Sequence, residues 1–500
     1  MTTSTESGGI APKATAPTSD REAADVGPTR PVGRTPLVVK LLVAAAFVVL
    51  LNETIMVNAV PSLEKGFGIT DSSAQWLSSI FMLTMAAVIP LTGWFLQRVS
   101  TRTAYAAAMT SFCAGTLVAA LAPTFGVILL GRVVQASGTA VMMPLLMTTL
   151  MTVVSPQDRG RVMGNATLVM SVAPALGPTV SGLILQLHSW RLIFLLIMPI
   201  ALLVGFLGFR LLENVGEPKA SPVSWISVVL AAAGFASLVY GLNKVGSVSW
   251  PEPTIFIGAG ATLVAAFALN QVRLQRSGTP LLDLRTLRHP TYAKSLVLVA
   301  CAFMGFFGSM LLMPLYLQHV RHLSALQSGL MVMPGGLVMG LLGPQVGKLS
   351  DRFGARRLVI PGAVAMVVLL VALAQITTST PYWLIVTIHV LLMTSLSTVI
   401  TPVFSLGLGD LPSHLYSHGS SLLGTLQQVA GAIGTALLVV IETNRSRHLM
   451  MAGHPFPEAF VSGMERALLV SACVGLVVVA MAVLLPSRVS SPTTDDTHDR

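Results

Sequence analysis

Apolar runs of about 20 residues, each ended by Pro, Gly or a charge cluster, recur along nearly the whole chain, and about 20 such residues are what a helix needs to cross a bilayer. Only 10% of the 500 residues are charged, against about 25% in soluble domains, which argues against a water-soluble fold. The pattern predicts an all-α integral membrane protein with fourteen spans. Eight fall at residues 38–61, 75–96, 104–122, 125–152, 162–185, 191–212, 222–243 and 253–272. After a polar connection, six more fall at 292–317, 325–347, 357–376, 381–404, 417–441 and 467–486.

Residues 1–36, rich in Ser, Thr, Pro and Ala, and the tail 487–500 read as disordered segments. The first of them holds no short apolar core with a cleavage site. The net charge of +10 does not point to nucleic acid, because the basic residues are scattered between apolar runs and form no stripe. Their placement follows topology instead. With the N-terminus inside, 22 of the 30 Lys and Arg residues fall on the cytoplasmic side, seven fall outside and Arg132 lies within a span. That bias places both termini in the cytoplasm and the chain, as a multi-pass protein, in the cell membrane. Cys113, Cys301 and Cys473 sit in apolar runs without metal-ligand spacing and read as packing residues.

The chain repeats itself. Residues 93–102, GWFLQRVSTR, and 347–356, GKLSDRFGAR, share a Gly-x-x-x-polar-Arg pattern at an offset of 254 (347 − 93). The same offset carries Val38 onto Tyr292 and Gly177 onto Gly431. Fourteen spans thus resolve into six, two and six. The segments are 1–36, a six-helix bundle at 37–212, two additional helices with a cytoplasmic linker at 213–291, a second bundle at 292–486, and the tail 487–500. Two like halves around a midplane site are the architecture of alternating-access transporters.

Gly347-Lys348-Leu349-Ser350-Asp351-Arg352-Phe353-Gly354-Ala355-Arg356-Arg357 resembles the G-x-L-x-D-R-x-G-R-R/K loop of the major facilitator superfamily. Gly164, Ala173, Gly177, Pro178, Ser181 and Gly182 fall on the antiporter motif of its fourteen-helix drug:proton antiporter family, with Ala173 and Ser181 in place of glycines. Arg132, Gln135 and Gly138 follow an R-x-x-Q-G-x-G pattern, Ala136 replacing the first Gly. Leu51-Asn52-Glu53-Thr54-Ile55 and Gln427-Gln428-Val429-Ala430-Gly431 are similar to the lincomycin-resistance branch. In the first copy of the loop, Gln97 stands for the Asp and Ser100 for a Gly. The resemblance implies a gating ion pair, better sought at Asp351 than at the degenerate first copy. It also implies that the first and fourth helices line a central cavity, where Glu53 and Arg132 could face each other at similar depth.

An ionisable group inside a span is costly and usually lies in a protein cavity or water path. Glu53 is therefore expected to take a proton from outside, releasing substrate, and lose it inside. The bland alternative is a structural ion pair or a carboxylate wetted at a helix end. Arg132 either shares in this coupling or anchors backbone carbonyls. The small residues Ala173, Gly177 and Ser181, four apart, form either a packing seam or an interface that moves. Pro178 is expected to kink the helix there. Gly347, Asp351, Arg352, Gly354, Arg356 and Arg357 are expected to close an inner gate, although topology alone would explain the arginines. Asn52, Asn58, Gln135, Gln427 and Gln428 are candidate cavity residues that either bind substrate or join helices. His389 reads as a packing residue, and most of the 24 Met residues as core or lipid-facing.

The sequence-based conclusion is a proton-coupled exporter of hydrophobic or cationic small molecules, acting as a monomer in the lipid bilayer. No cofactor and no metal are expected. The proton gradient would supply the energy, since no G-x-x-x-x-G-K-S/T loop is present. A dedicated exporter of an endogenous metabolite, antibiotic or lipid is the alternative. A membrane-embedded enzyme has less support, for H-E-x-x-H and paired loop carboxylates are missing.

Overall fold

The computed structural model describes residues 36–56, 63, 66–69, 71–74, 76–185, 189–215, 222–245, 251–277 and 280–486. The two expected disordered segments, Pro36 excepted, and Asn58 lie outside these described residues. Fourteen long helices and no strand are found among the described residues. They are α1 Leu37–Ile55, α2 Trp76–Arg98, α3 Thr101–Ala120, α4 Phe125–Val153, α5 Arg159–Leu185, α6 Arg191–Leu211, α7 Trp225–Lys244 and α8 Pro251–Leu274, then α9 Pro290–His319, α10 Ala325–Phe353, α11 Ala355–Ala374, α12 Tyr382–Gly409, α13 Tyr416–Met451 and α14 Phe456–Val483. Thirteen are long and apolar enough to cross a membrane; α5, the other, packs against both α1 and α10.

The offset of 254 also relates helix boundaries. Shifted by 254 residues, α3 falls on α11 from end to end (101 to 355, 120 to 374), and Pro90 inside α2 falls on Pro344 inside α10. The match breaks at the last two helices of each half. There α13 runs to Met451, beyond the end expected at 441, and α14 begins at Phe456, before the start expected at 467. The cause is polar pairing beyond the apolar stretch. Ser446 Oγ donates to Glu442 Oε1 at 2.7 Å and to the Ala459 carbonyl at 3.0 Å, while Arg445 Nε donates to Ser462 Oγ at 3.2 Å. Hydropathy marks where a helix meets the bilayer core, not where its hydrogen bonds end.

Within each half the helices pack through small residues. Across the halves, α5 packs most extensively with α10 and also touches α12, while α13 touches α2 and α4. The helix pair α7 and α8 closes on itself at Gly234, Gly241 and Gly260, whose added Cβ atoms would meet the facing helix. This pair rests on α2 and α13, with Trp76 stacked on Tyr240 at 5.7 Å. Its return segment is tied by Gln271, whose Oε1 accepts from the Leu281 and Leu282 amides at 2.8 and 3.2 Å. Cys113 and Cys301 pack against the core, but Cys473 is exposed on the outer surface of α14 and is not the packing residue its apolar context suggested.

Candidate functional site

Among apolar neighbours, α1 and α4 bring one acid and one base into the interior of the first half. Arg132 is 1% exposed. Its Nη1 donates to Gln135 Oε1 at 2.7 Å, its Nε to the Leu77 carbonyl at 3.4 Å, and its guanidinium lies over the Phe81 ring at 4.0 Å. Gln135 in turn donates to Thr116 Oγ1 of α3 at 2.7 Å. Three helices therefore hold one guanidinium in a fixed orientation, as the cost of burying a cation requires. Glu53, in the last turn of α1, is partly exposed, and its charge and that of Arg132 act on each other. No direct ion pair joins the two among the described residues. Glu53 is thus a half-buried acid in the same half as a buried cation. Beside it Asn52 is fully buried, with neither amide atom partnered among the described residues.

The next residue ties this acid to α5. Thr54 Oγ1 donates to the Ala173 carbonyl at 3.3 Å, and a Cβ added at Gly177 would strike Thr54, with Thr54 Cβ only 2.6 Å away. The Ala173 and Gly177 face therefore meets α1, one residue from Glu53. Ser181 is fully buried, its hydroxyl unpartnered among the described residues. Gly164 belongs to a different face of α5, and the backbone alone of Pro178 and Gly182 is described.

That other face meets α10 across the halves. A Cβ at Gly164 would lie 2.5 Å from Pro344 Cα, one at Gly347 would strike the Gly160 backbone, and one at Gly343 would lie 2.6 Å from the Gly164 carbonyl oxygen. Toward the opposite end, Gly340 meets Leu168 and Val172, and Gly336 meets Ser171 and Ala175. At the end of this seam Asp351 accepts from the backbone amides of Gly160 at 2.9 Å and Arg161 at 2.8 Å. A carboxylate there satisfies two orphan donors of the α5 N-terminus and faces its positive dipole end. Asp351 is thus paired with backbone amides, and its partner across the halves is a helix end. Arg161 pairs with Asp158 at 3.5 Å, Arg352 lies over Phe353 at 5.1 Å, Arg356 is half-buried and Arg357 exposed. Gly354 joins α10 to α11 at φ 87°, a left-handed conformation that favours glycine.

The second seam, between α2 and α13, is closed at the same end. Gln97 Nε2 donates to the His414 carbonyl at 2.8 Å and Ser421 Oγ to the Ile89 carbonyl at 2.6 Å. Thr148 of α4 meets Ser420 at 3.2 Å, and Arg159 donates to the Tyr416 hydroxyl at 3.1 Å. Gln97, in the position of an acid, therefore still bridges the halves through a neutral bond.

Gln427 and Gln428 lie half-buried on α13, the Gln427 Nε2 without a partner among the described residues. His389 is buried against Gly335 of α10, again with Nε2 unpartnered there. An apolar recess of about 300 Å³ between α2, α4 and α7, walled by Val88, Leu91, Trp94, Val141, Trp225 and Val228, contains none of the candidate residues. Among the described residues no three His, Cys, Asp or Glu side chains form a metal cluster. Sequence reasoning missed Gly160, Gly336, Gly340 and Gly343. The three- and four-residue spacing of the α10 glycines was the available signal, but it does not name their partner.

The family model of the Major Facilitator Superfamily matches residues 42–435. A lincomycin resistance protein of Listeria monocytogenes is 35% identical over 451 residues, covering 88% of this chain and 95% of that protein. A multidrug resistance protein B homolog of Mycobacterium tuberculosis is 28% identical over 429 residues, covering 85% of this chain and 78% of that one. In three dimensions the human organic anion transporter MFSD10 superimposes with a TM-score of 0.62 at 13% identity, covering 90% of this chain and all of that one.

Proposed function

The chain belongs to the Major Facilitator Superfamily and is a membrane transporter, and we propose that it expels drugs and other hydrophobic small molecules from the cytoplasm in exchange for protons. The observation that supports this most is the placing of a half-buried acid, Glu53, and a buried, hydrogen-bonded cation, Arg132, in the interior of the first half. Resistance to drugs is also what the names of the curated relatives describe.

In this reading Glu53 takes a proton from the outside and releases it inside, and substrate and proton alternate in occupying the cavity. With the termini and the Asp351 end in the cytoplasm, the two seams described above are the closed inner gate, and the molecule stands with its inner side shut. Asp351 on the α5 amides, Ser421 on Ile89 and Gln97 on His414 are the bonds that must break before substrate enters. Alternating access then amounts to making and breaking these bonds while the α5 and α10 glycines let the two backbones rock at close range.

The test uses purified protein in liposomes with an imposed pH gradient and a fluorescent cationic dye. Wild-type protein should move the dye uphill when the gradient is applied. Glu53→Gln should lose the gradient-driven component while keeping dye exchange down its own gradient. Full gradient response in Glu53→Gln would remove Glu53 from the coupling scheme.

A further inference from the structure

The additional helix α7 does not close completely on the first half. Leu91 and Trp94 of α2 and Val228 of α7 pack on one small core with Ala231 and Phe235. At the start of α7, however, the apolar recess of about 300 Å³ is left between the two helices, and Val141 of α4 also lines it. Its one polar lining side chain, Thr92, donates its hydroxyl to the Ile89 carbonyl at 2.7 Å. Nothing in the recess therefore asks for water or for a polar ligand, while empty space would forfeit the dispersion contacts of every wall atom. Trp225 at its edge is 74% exposed and the adjoining Ile226 68%, so the recess opens on the outer surface of the bundle, where acyl chains lie.

The internal repeat shows that bundle packing does not demand this lining. Shifted by 254 residues, Val88 and Phe95 fall on leucines of α10, but Leu91 and Trp94 fall on Gln345 and Lys348. An apolar and an aromatic side chain at these two positions belong to the half that α7 adjoins.

The order of groups along α2 identifies the occupant. Trp94 and Trp225 come from opposite walls, and tryptophan is the side chain that settles at the level of lipid headgroups. Four residues beyond Trp94, about 6 Å along the helix at 1.5 Å per residue, the exposed Arg98 lies over the Trp94 ring at 5.4 Å. Its guanidinium carries five N–H donors, a geometry suited to phosphate, and a cation at the membrane surface favours a headgroup with net negative charge. Apolar space, tryptophan and guanidinium thus follow one another as the chain, glycerol and phosphate of a phospholipid do.

We propose that this recess binds one anionic phospholipid, with an acyl chain between α2, α4 and α7 and the phosphate on Arg98. With the termini in the cytoplasm, the lipid belongs to the inner leaflet. It completes the contact between the first half and the additional helix pair, and the proposal stands whatever the direction or coupling of transport.

Native mass spectrometry of the full-length protein tests this. The protein is reconstituted in vesicles of equal parts dioleoyl phosphatidylglycerol and dioleoyl phosphatidylcholine, then extracted into mild detergent, and the lipid it retains is counted. Wild type should keep one phosphatidylglycerol in preference to phosphatidylcholine. Val88→Phe and Val228→Phe, which fill the recess from opposite walls, should lose it, whereas Val229→Phe, at a position 63% exposed beside the recess, should retain it. Arg98→Gln should lower the preference for phosphatidylglycerol about fivefold while a lipid is still held. If one filled variant does not fold, the other carries the comparison. Retention as in wild type by a folded, filled variant overturns the proposal, as do wild-type protein that keeps no lipid or keeps the two in equal amounts, and an unchanged preference in Arg98→Gln. Release of the lipid by excess ethidium would make the recess a path for the exported molecule and overturn it as well.

Discussion

Asp351→Asn should open the inner side. In the closed seam the carboxylate accepts two amide hydrogen bonds, at 2.9 and 2.8 Å, from the first residues of α5. A hydrogen bond to a charged group is worth about 1.5–3 kcal/mol, and a negative charge at a helix N-terminus about 0.3–1 kcal/mol more. The asparagine oxygen can keep one amide, but its NH2 group faces the other and opposes it. The loss is then about one charge-assisted bond plus the dipole contribution, or roughly 2–4 kcal/mol. Asp351 is only partly buried, so the lower end applies, about 2 kcal/mol, or roughly a thirtyfold fall in the ratio of closed to open gate. Spin labels at Thr152 and Ser413, both exposed and on opposite halves, would report it by pulsed dipolar spectroscopy after the three native cysteines are replaced. The variant should gain a population at longer distance that wild type lacks. An unchanged distance distribution would refute the assignment of Asp351 as a gate bond.

Gly177→Ala should overpack the contact with Thr54 and cost about 1–3 kcal/mol, seen as lower dye transport and a lower melting temperature; adding Thr54→Ala should recover part of both, since the Thr54 side chain is what the new methyl strikes. Arg132→Lys should behave as a disruptive change, losing the 2.7 Å bond to Gln135 and the planar contact over Phe81, with a cost of about 2–3 kcal/mol in thermal unfolding and a weaker response to a pH gradient. Gly354→Ala places a side chain at φ 87° and should cost about 1–2 kcal/mol, whereas Gly126→Ala, with nothing within 4 Å of its added Cβ, should leave stability and transport as in wild type.

Fourteen helices are legible in the sequence because the bilayer imposes a length on every span, and a run such as Leu37–Ile55 has no other reason to be so apolar. The extension of α13 past Ile441 is not legible by that rule. Its last turns are held by Ser446, Glu442 and Arg445, polar residues that a hydropathy reading takes for a loop. Glu53 and Arg132 stand out for the opposite reason, as ions among aliphatic neighbours. What holds Arg132 is harder to see: Gln135 is one turn away, but Phe81 and Leu77 come from a helix more than 50 residues earlier, and no periodicity links them. The Asp351 seam shows the same limit. Asp351 invites a search for an arginine, yet its partners are two backbone amides, and every residue carries an amide. Only the fold decides which helix end arrives there.

On the export reading, the two faces of α5 supply the remaining link between proton and gate. One face, at Ala173 and Gly177, touches Thr54 beside Glu53; the other, from Gly160 to Ala175, lies on α10, and the N-terminal amides of the same helix hold Asp351. From Gly177 to Gly160 is 17 residues, about 26 Å of helix at 1.5 Å per residue. A continuous helix of that length moves largely as one body, and small side chains on both faces interlock weakly with their neighbours, so α5 can slide or tilt without repacking large groups. On the export reading, a change in the charge of Glu53 that shifts α1 against α5 therefore acts on the same rigid element that carries the gate's hydrogen-bond donors. The coupling needs no chain of intermediate side chains. It needs α5 to stay straight enough to carry a displacement at Gly177 to its own first turn.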